Sequence, residues 1–253
     1  ALGTLHKNVI SIDTSGVKGT QTWDASNSLS AVDAKGSGSA RVNFTTSEWN
    51  DTFTVSKTAA VRHIINGGDG TDSATVGVTS LFVDGRTIAV EKLTLDVDPG
   101  TSQTVGVAAG GGLPAQAFNA ATTEFTITGG NSLSVFNNET ADAEFIEAVT
   151  KVDASGFGGK VELDFDANAL NDTVTVSGGS LTTDTARGTF TTADATAKPK
   201  TTGIETLILD SNVPGGSQTT TVGLGNTSGV TRIDAGMGAA DIFIINQIDS
   251  EKI

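Results

Sequence analysis

The residues of this chain best suited to chemistry are oxygen donors set among glycines. The run Gly67-Gly-Asp-Gly-Thr-Asp72 places two carboxylates, Asp69 and Asp72, where Gly67, Gly68 and Gly70 leave the backbone carbonyls open. Carboxylate and carbonyl oxygens are the ligands that hard cations such as Ca2+ take. Four more aspartates share a second setting: Ile12-Asp13, Val32-Asp33, Val152-Asp153 and Ile233-Asp234 each follow a β-branched residue and precede a small-residue turn with glycine. There the apolar residue ends a strand and the carboxylate accepts hydrogen bonds from the turn that follows. The other reading of the same phrase is that stacked turns align these carboxylates into cation sites. Degenerate forms of the glycine run occur at Ser177-Gly-Gly-Ser-Leu-Thr-Thr-Asp184 and at Gly236-Met-Gly-Ala-Ala-Asp241, which adds Asp241 to the candidate ligands.

Other chemistries find little purchase, and the expectation is a protein that is not an enzyme. There is no cysteine, so thiolate metal sites and disulfides are excluded. His6 and His63 stand in no common motif, and neither a nucleophile elbow nor a phosphate-binding loop is present. Glu162 and Asp164 share one strand face, but acid/base work on a glycoside needs an opposing carboxylate. Trp23 and Trp49 are expected to pack in the core or between coils. A net charge of −14 argues against nucleic acid and anionic membranes as partners. No apolar run approaches the roughly 20 residues of a membrane-spanning helix, so no membrane insertion is expected.

The elements that must position these groups are strands. Val161, Leu163 and Phe165 alternate with Lys160, Glu162 and Asp164, and the same rhythm recurs at Phe53 and Val55, Phe125 and Ile127, and Val174 and Val176. Turn residues punctuate them, as at Gly110-Gly-Gly112, Gly129-Gly-Asn131 and Gly215-Gly216. The chain also repeats itself. Asn50-Asp-Thr-Phe-Thr-Val-Ser56 matches Asn171-Asp-Thr-Val-Thr-Val-Ser177, and Glu91-Lys-Leu-Thr-Leu-Asp96 matches Glu205-Thr-Leu-Ile-Leu-Asp210. The expected fold is all-β, a parallel β-solenoid or β-roll built from two diverged copies, with tandem β-sandwich domains as the alternative. Residues 1–108 hold the first copy, 109–147 a connector and 148–253 the second. Length differences should lie in loops, and Leu93-Leu95 should occupy a place equivalent to Leu207-Leu209. The chain reads as a processed product or a piece of a longer protein.

The run from Gly67 to Thr75 fits the glycine-rich nonapeptide of calcium-binding repeats-in-toxin proteins, except that small Ala74 stands where a large apolar residue is usual. Together with Val90-Glu-Lys-Leu-Thr-Leu95, Ile204-Glu-Thr-Leu-Ile-Leu209 and the Val-Asp-Ala phrases, the chain resembles bacterial surface-layer proteins with such repeats. The resemblance implies calcium held at Gly67, Gly68, Asp69, Gly70 and Asp72. It also implies an extracellular, cell-surface location and a structural role as a subunit of a self-assembling layer or fibre. Its partners would be identical subunits and cell-surface polysaccharide. Residues 76–84 do not continue the nonapeptide, so the second half of a cage is missing from the sequence. An adhesive or carbohydrate-binding module of a larger secreted protein is the alternative function. A third reading, a polysaccharide-processing module, requires basic and acidic residues gathered in a cleft.

Overall fold

The computed structural model describes residues 11–25, 43–55, 64–78, 87–97, 99–100, 102–106, 121–136, 149–166, 174–190, 196–211, 219–236 and 242–246. These residues form strands and turns without a helix. Four strands make one sheet in the order β1 (Ser11–Asp13), β3 (Asn43–Thr45), β5 (Ile64–Asn66), β7 (Thr87–Ile88). The central sheet has nine: β2 (Thr22–Ala25), β4 (Thr52–Val55), β6 (Ser73–Val78), β8 (Lys92–Val97), β10 (Glu124–Gly129), β12 (Lys151–Asp153), β14 (Thr175–Ser177), β17 (Lys200–Thr202) and β20 (Thr227–Ser228). A six-stranded sheet runs from β9 (Gln103–Gly106) through β11 (Ser132–Phe136), β13 (Lys160–Asp166), β15 (Thr185–Phe190) and β18 (Thr206–Ser211) to β21 (Arg232–Gly236). Strands β16 (Thr196–Ala197), β19 (Thr219–Gly223) and β22 (Ile242–Asn246) complete a small fourth sheet.

Every described pairing is parallel. Parallel neighbours cannot be joined by a hairpin; the rest of a coil supplies the crossover. The fold is therefore the solenoid, and not tandem sandwiches of antiparallel sheets. Successive strands of the nine-stranded sheet begin at residues 22, 52, 73, 92, 124, 151, 175, 200 and 227, so a coil takes 19 to 32 residues. The 109–147 stretch supplies β10 and β11, and β10 pairs with β8 on one side and β12 on the other.

Period-two alternation turns one residue set inward, and parallel register stacks like positions of successive coils. The inward column of the central sheet is Trp23, Phe53, Ala74, Leu93, Phe125, Val152 and Val176, ending in buried Thr201 and Thr227. Ala74 is flanked by Phe53 and Leu93, so the small residue of the phrase sits between two large ones in the column. Ala186 repeats the arrangement between Leu163 and Leu207. Phe44 sets its edge against Phe53 with ring centres 5.9 Å apart, and Trp23 packs on Phe44 at 6.4 Å. Trp49 departs from expectation and is 45% exposed. It lies in the turn between β3 and β4, whose inward places Phe44 and Phe53 already fill.

The two copies do not occupy equivalent places. Leu93 and Leu95 belong to β8 of the nine-stranded sheet, whereas Leu207 and Leu209 belong to β18 of the six-stranded one. The cause is an insertion larger than a loop. Between β4 and β6 the chain makes a full return through β5, whereas from β14 to β15 it only rounds one corner. The later part of the second copy is thus displaced by one face. Each copy keeps its local device, a three-residue strand, a Gly-Gly turn, an acid and a longer strand, at β5–β6 and at β14–β15.

Candidate functional site

Among the described residues, five strands are entered through an acid: Asp51 before β4, Asp72 before β6, Glu91 before β8, Asp184 before β15 and Glu205 before β18. This position turns a corner of the coil, where a backbone amide leaves its ladder and needs another acceptor. The acid of the following coil supplies it. Asp51 Oδ1 accepts the Gln21 amide at 2.7 Å, Asp72 Oδ1 that of Asp51 at 2.6 Å, and Glu91 Oε2 that of Asp72 at 2.7 Å. On the second corner Asp184 Oδ1 accepts from Val161 N–H at 3.0 Å and Glu205 Oε2 from Asp184 N–H at 2.9 Å. Asp51, Asp72 and Asp184 are 1%, 0% and 0% exposed, so these carboxylates are internal fastenings between coils.

The glycines make the corner possible. A Cβ on Gly67 would come within 2.2 Å of the Ala89 carbonyl oxygen and 2.3 Å of Asp72 Oδ2, so no side chain fits. Gly68 has φ of +85°, a conformation that L side chains rarely adopt. In the other two corner aspartates the second oxygen is also used: Asp51 Oδ2 accepts from Ser47 N–H at 3.3 Å and Asp184 Oδ2 from Gly179 N–H at 2.6 Å. At Asp72 the corresponding amide, Gly68 N–H, goes to the side chain of Asn66 at 3.2 Å. Asp72 Oδ2 is left buried with no hydrogen bond. Burial away from water raises the Asp72 carboxyl to about 6; the Asp51 amide opposes this, and the charges of Glu91 and Asp51 add to it. Asp184 is also raised, first by burial, against the Val161 and Gly179 amides.

The sequence candidates divide. Asp13 accepts from Ser15 N–H at 3.0 Å and Ser15 Oγ at 2.8 Å, and Asp153 does the same with Ser155 at 3.1 and 2.6 Å. Both are the turn-formers that their phrase implies. The Ser15 amide, first, and its hydroxyl hold Asp13 below the usual carboxylate range; the Ser155 hydroxyl leads for Asp153, with Lys151 at 3.1 Å contributing. Asp234 is inside β21 and takes Arg232 Nε at 2.8 Å instead of a turn. Asp33 and Asp241 lie outside the described residues, as do His6 and His63. Asp13, Asp153 and Asp234 are in three different sheets and do not converge.

No protein-family model, curated protein or solved structure matches this chain. The calcium reading of residues 67–72 therefore rests on their own geometry. Gly67 is buried, Gly68 half-buried, and Asp69 and Gly70 are exposed, while Asp72 turns inward onto the Asp51 amide. Among the described residues no three acidic or histidine side chains gather to hold a metal ion. As arranged, the glycines and the aspartate of the turn serve the corner.

Sequence reasoning passed over Asp51, Glu91, Asp184 and Glu205 as a set. Their signal is an acid, then a polar residue, then an inward apolar one: Asp51-Thr-Phe53, Asp72-Ser-Ala74, Glu91-Lys-Leu93, Asp184-Thr-Ala186 and Glu205-Thr-Leu207.

Proposed function

We propose that the protein is a non-enzymatic structural subunit of a self-assembling bacterial surface layer or fibre, exported to the cell surface. The observation that carries this reading is the nine-stranded parallel sheet running through both sequence copies and the stretch between them. Such a stack gains stability from interfaces between successive coils and suits a load-bearing rod. Its buried acids fasten coil to coil, which is structural use of the groups best suited to chemistry. The apolar strand β22 adds a contact surface, with Ile244 42% exposed. Identical subunits are the principal partners and cell-surface polysaccharide the anchoring one.

Calcium enters this reading between subunits. At −14 the chains repel one another, and a divalent ion bridging exposed carboxylates such as Asp69 removes that barrier. Monovalent salt screens without coordinating. Light scattering with electron microscopy tests the reading: ordered sheets or fibres should form in calcium, and chelation should return smaller species. Equal assembly in sodium at matched ionic strength, or assembly in neither, refutes it.

A further inference from the structure

The outer face of the six-stranded sheet carries a groove of about 470 Å³ that the structural reading does not use. Parallel register builds it in rows. One row is Ser134, Glu162, Thr185, Thr206 and Arg232, a single residue from each of five successive strands. Beside it runs a second, Asp164, Arg187, Ile208 and Asp234. The residues entering the strands, among them Thr182, Thr183 and Thr231, line the groove as well. Five strands at the usual inter-strand spacing give it a length of about 19 Å. Its volume lies within the range of small-ligand sites.

The chemistry of the rows is alternation. Lys160 pairs with Glu162, Arg232 Nε with Asp234 at 2.8 Å, and Arg187 Nε lies 3.5 Å from Asp210. The Glu162 carboxyl is held below its usual range, chiefly by the Lys160 hydrogen bond, with Ser134 and Arg187 contributing. Asp164 sits at the floor, 6% exposed, next to Arg187 across the ladder. Charges that neutralise one another are held in place and do not call for a charged ligand. What they leave is a lattice of planar donors and acceptors, interleaved with Ser and Thr hydroxyls and one aliphatic side chain, Ile208. Polyanions are opposed by the net charge of −14.

We infer that this groove binds an uncharged oligosaccharide lying across the strands. Adjacent sugar hydroxyls would take the carboxylate and guanidinium groups in pairs, and a C–H face of one ring would rest on Ile208. Binding here requires no self-assembly, so it is measured on the monomer.

The test titrates the full chain with cellohexaose, maltohexaose, mannohexaose and chitohexaose by NMR, with a galacturonic acid hexamer as the acidic comparison. At least one neutral hexamer should bind saturably and the acidic one should not. Arg187→Ala should weaken binding about tenfold or more. Thr206→Trp, which fills the groove, should abolish binding, and Thr126→Trp on the nine-stranded face should leave it unchanged. Melting curves identify any variant that fails to fold; if Arg187→Ala does, Thr206→Trp decides. Failure of all four neutral hexamers at millimolar concentration, preference for the acidic one, or binding that survives Thr206→Trp overturns the inference.

Discussion

Replacing Asp72 by Asn should stabilise the protein at neutral pH, although Asp72 is the acid that the glycine phrase singles out as a ligand. The Asp72 carboxyl is raised from 3.8 to about 6 in the folded chain. Between those values the folded state binds a proton that the unfolded state has released, so the wild type loses stability as pH rises from 4 to 6 and stays lower above that. At roughly 1.36 kcal/mol for each tenfold change in proton affinity, the loss is at most about 3 kcal/mol. Asn keeps an oxygen for the Asp51 amide and puts an uncharged N–H2 in place of the buried, unpartnered Asp72 Oδ2. Asp72→Asn and wild type should therefore melt together at pH 4 and separate by about 5–10 °C at pH 7. Thermal unfolding followed by circular dichroism in chelator, at half-unit pH steps, measures the gap. A variant that melts below wild type at pH 7, or a gap that does not change with pH, refutes the corner assignment. Calcium that raises the melting point of wild type but not of Asp72→Asn would restore the carboxylate as a ligand.

Two further outcomes follow from the same geometry. Asn66→Ser, which copies Ser177 of the second corner, frees the Gly68 amide for Asp72 Oδ2, so the Asp72 carboxyl should move back toward its ordinary range when titrated by NMR. Phe125→Ala opens a cavity in the inward column between Leu93 and Val152 and should cost about 3–5 kcal/mol in denaturant unfolding; a loss below about 1 kcal/mol would mean that the column does not carry the stack.

Strand positions and their inward faces were legible because period two is local: Leu163 and Phe165, or Phe125 and Ile127, announce themselves within three residues. So was the turn chemistry of Asp13 and Asp153, whose partners are two residues away. The sheet to which a strand belongs was not legible. Coils of 19 to 32 residues hide a fixed period, and one extra return through β5 moves an otherwise matching strand to another face. Asp72 shows the same limit at a site. Its role depends on Asp51, 21 residues earlier, and on Asn66, which takes the amide that the glycine phrase alone leaves for the carboxylate. Ala74 is intelligible only beside Phe53 and Leu93 of the neighbouring coils.

The bonds that the corner acids accept from the preceding coil all run in one direction. The amides of Gln21, Asp51 and Asp72 each wait for an acid that lies 19 to 30 residues further along the chain. In a chain growing from its N-terminus these three amides therefore stay open until the next segment arrives with its acid. A ribosome pausing after one of these coils leaves a polar group open until synthesis resumes. Each new coil thus closes the corner of the coil before it, and the chain supplies its own fastenings in the order of its sequence.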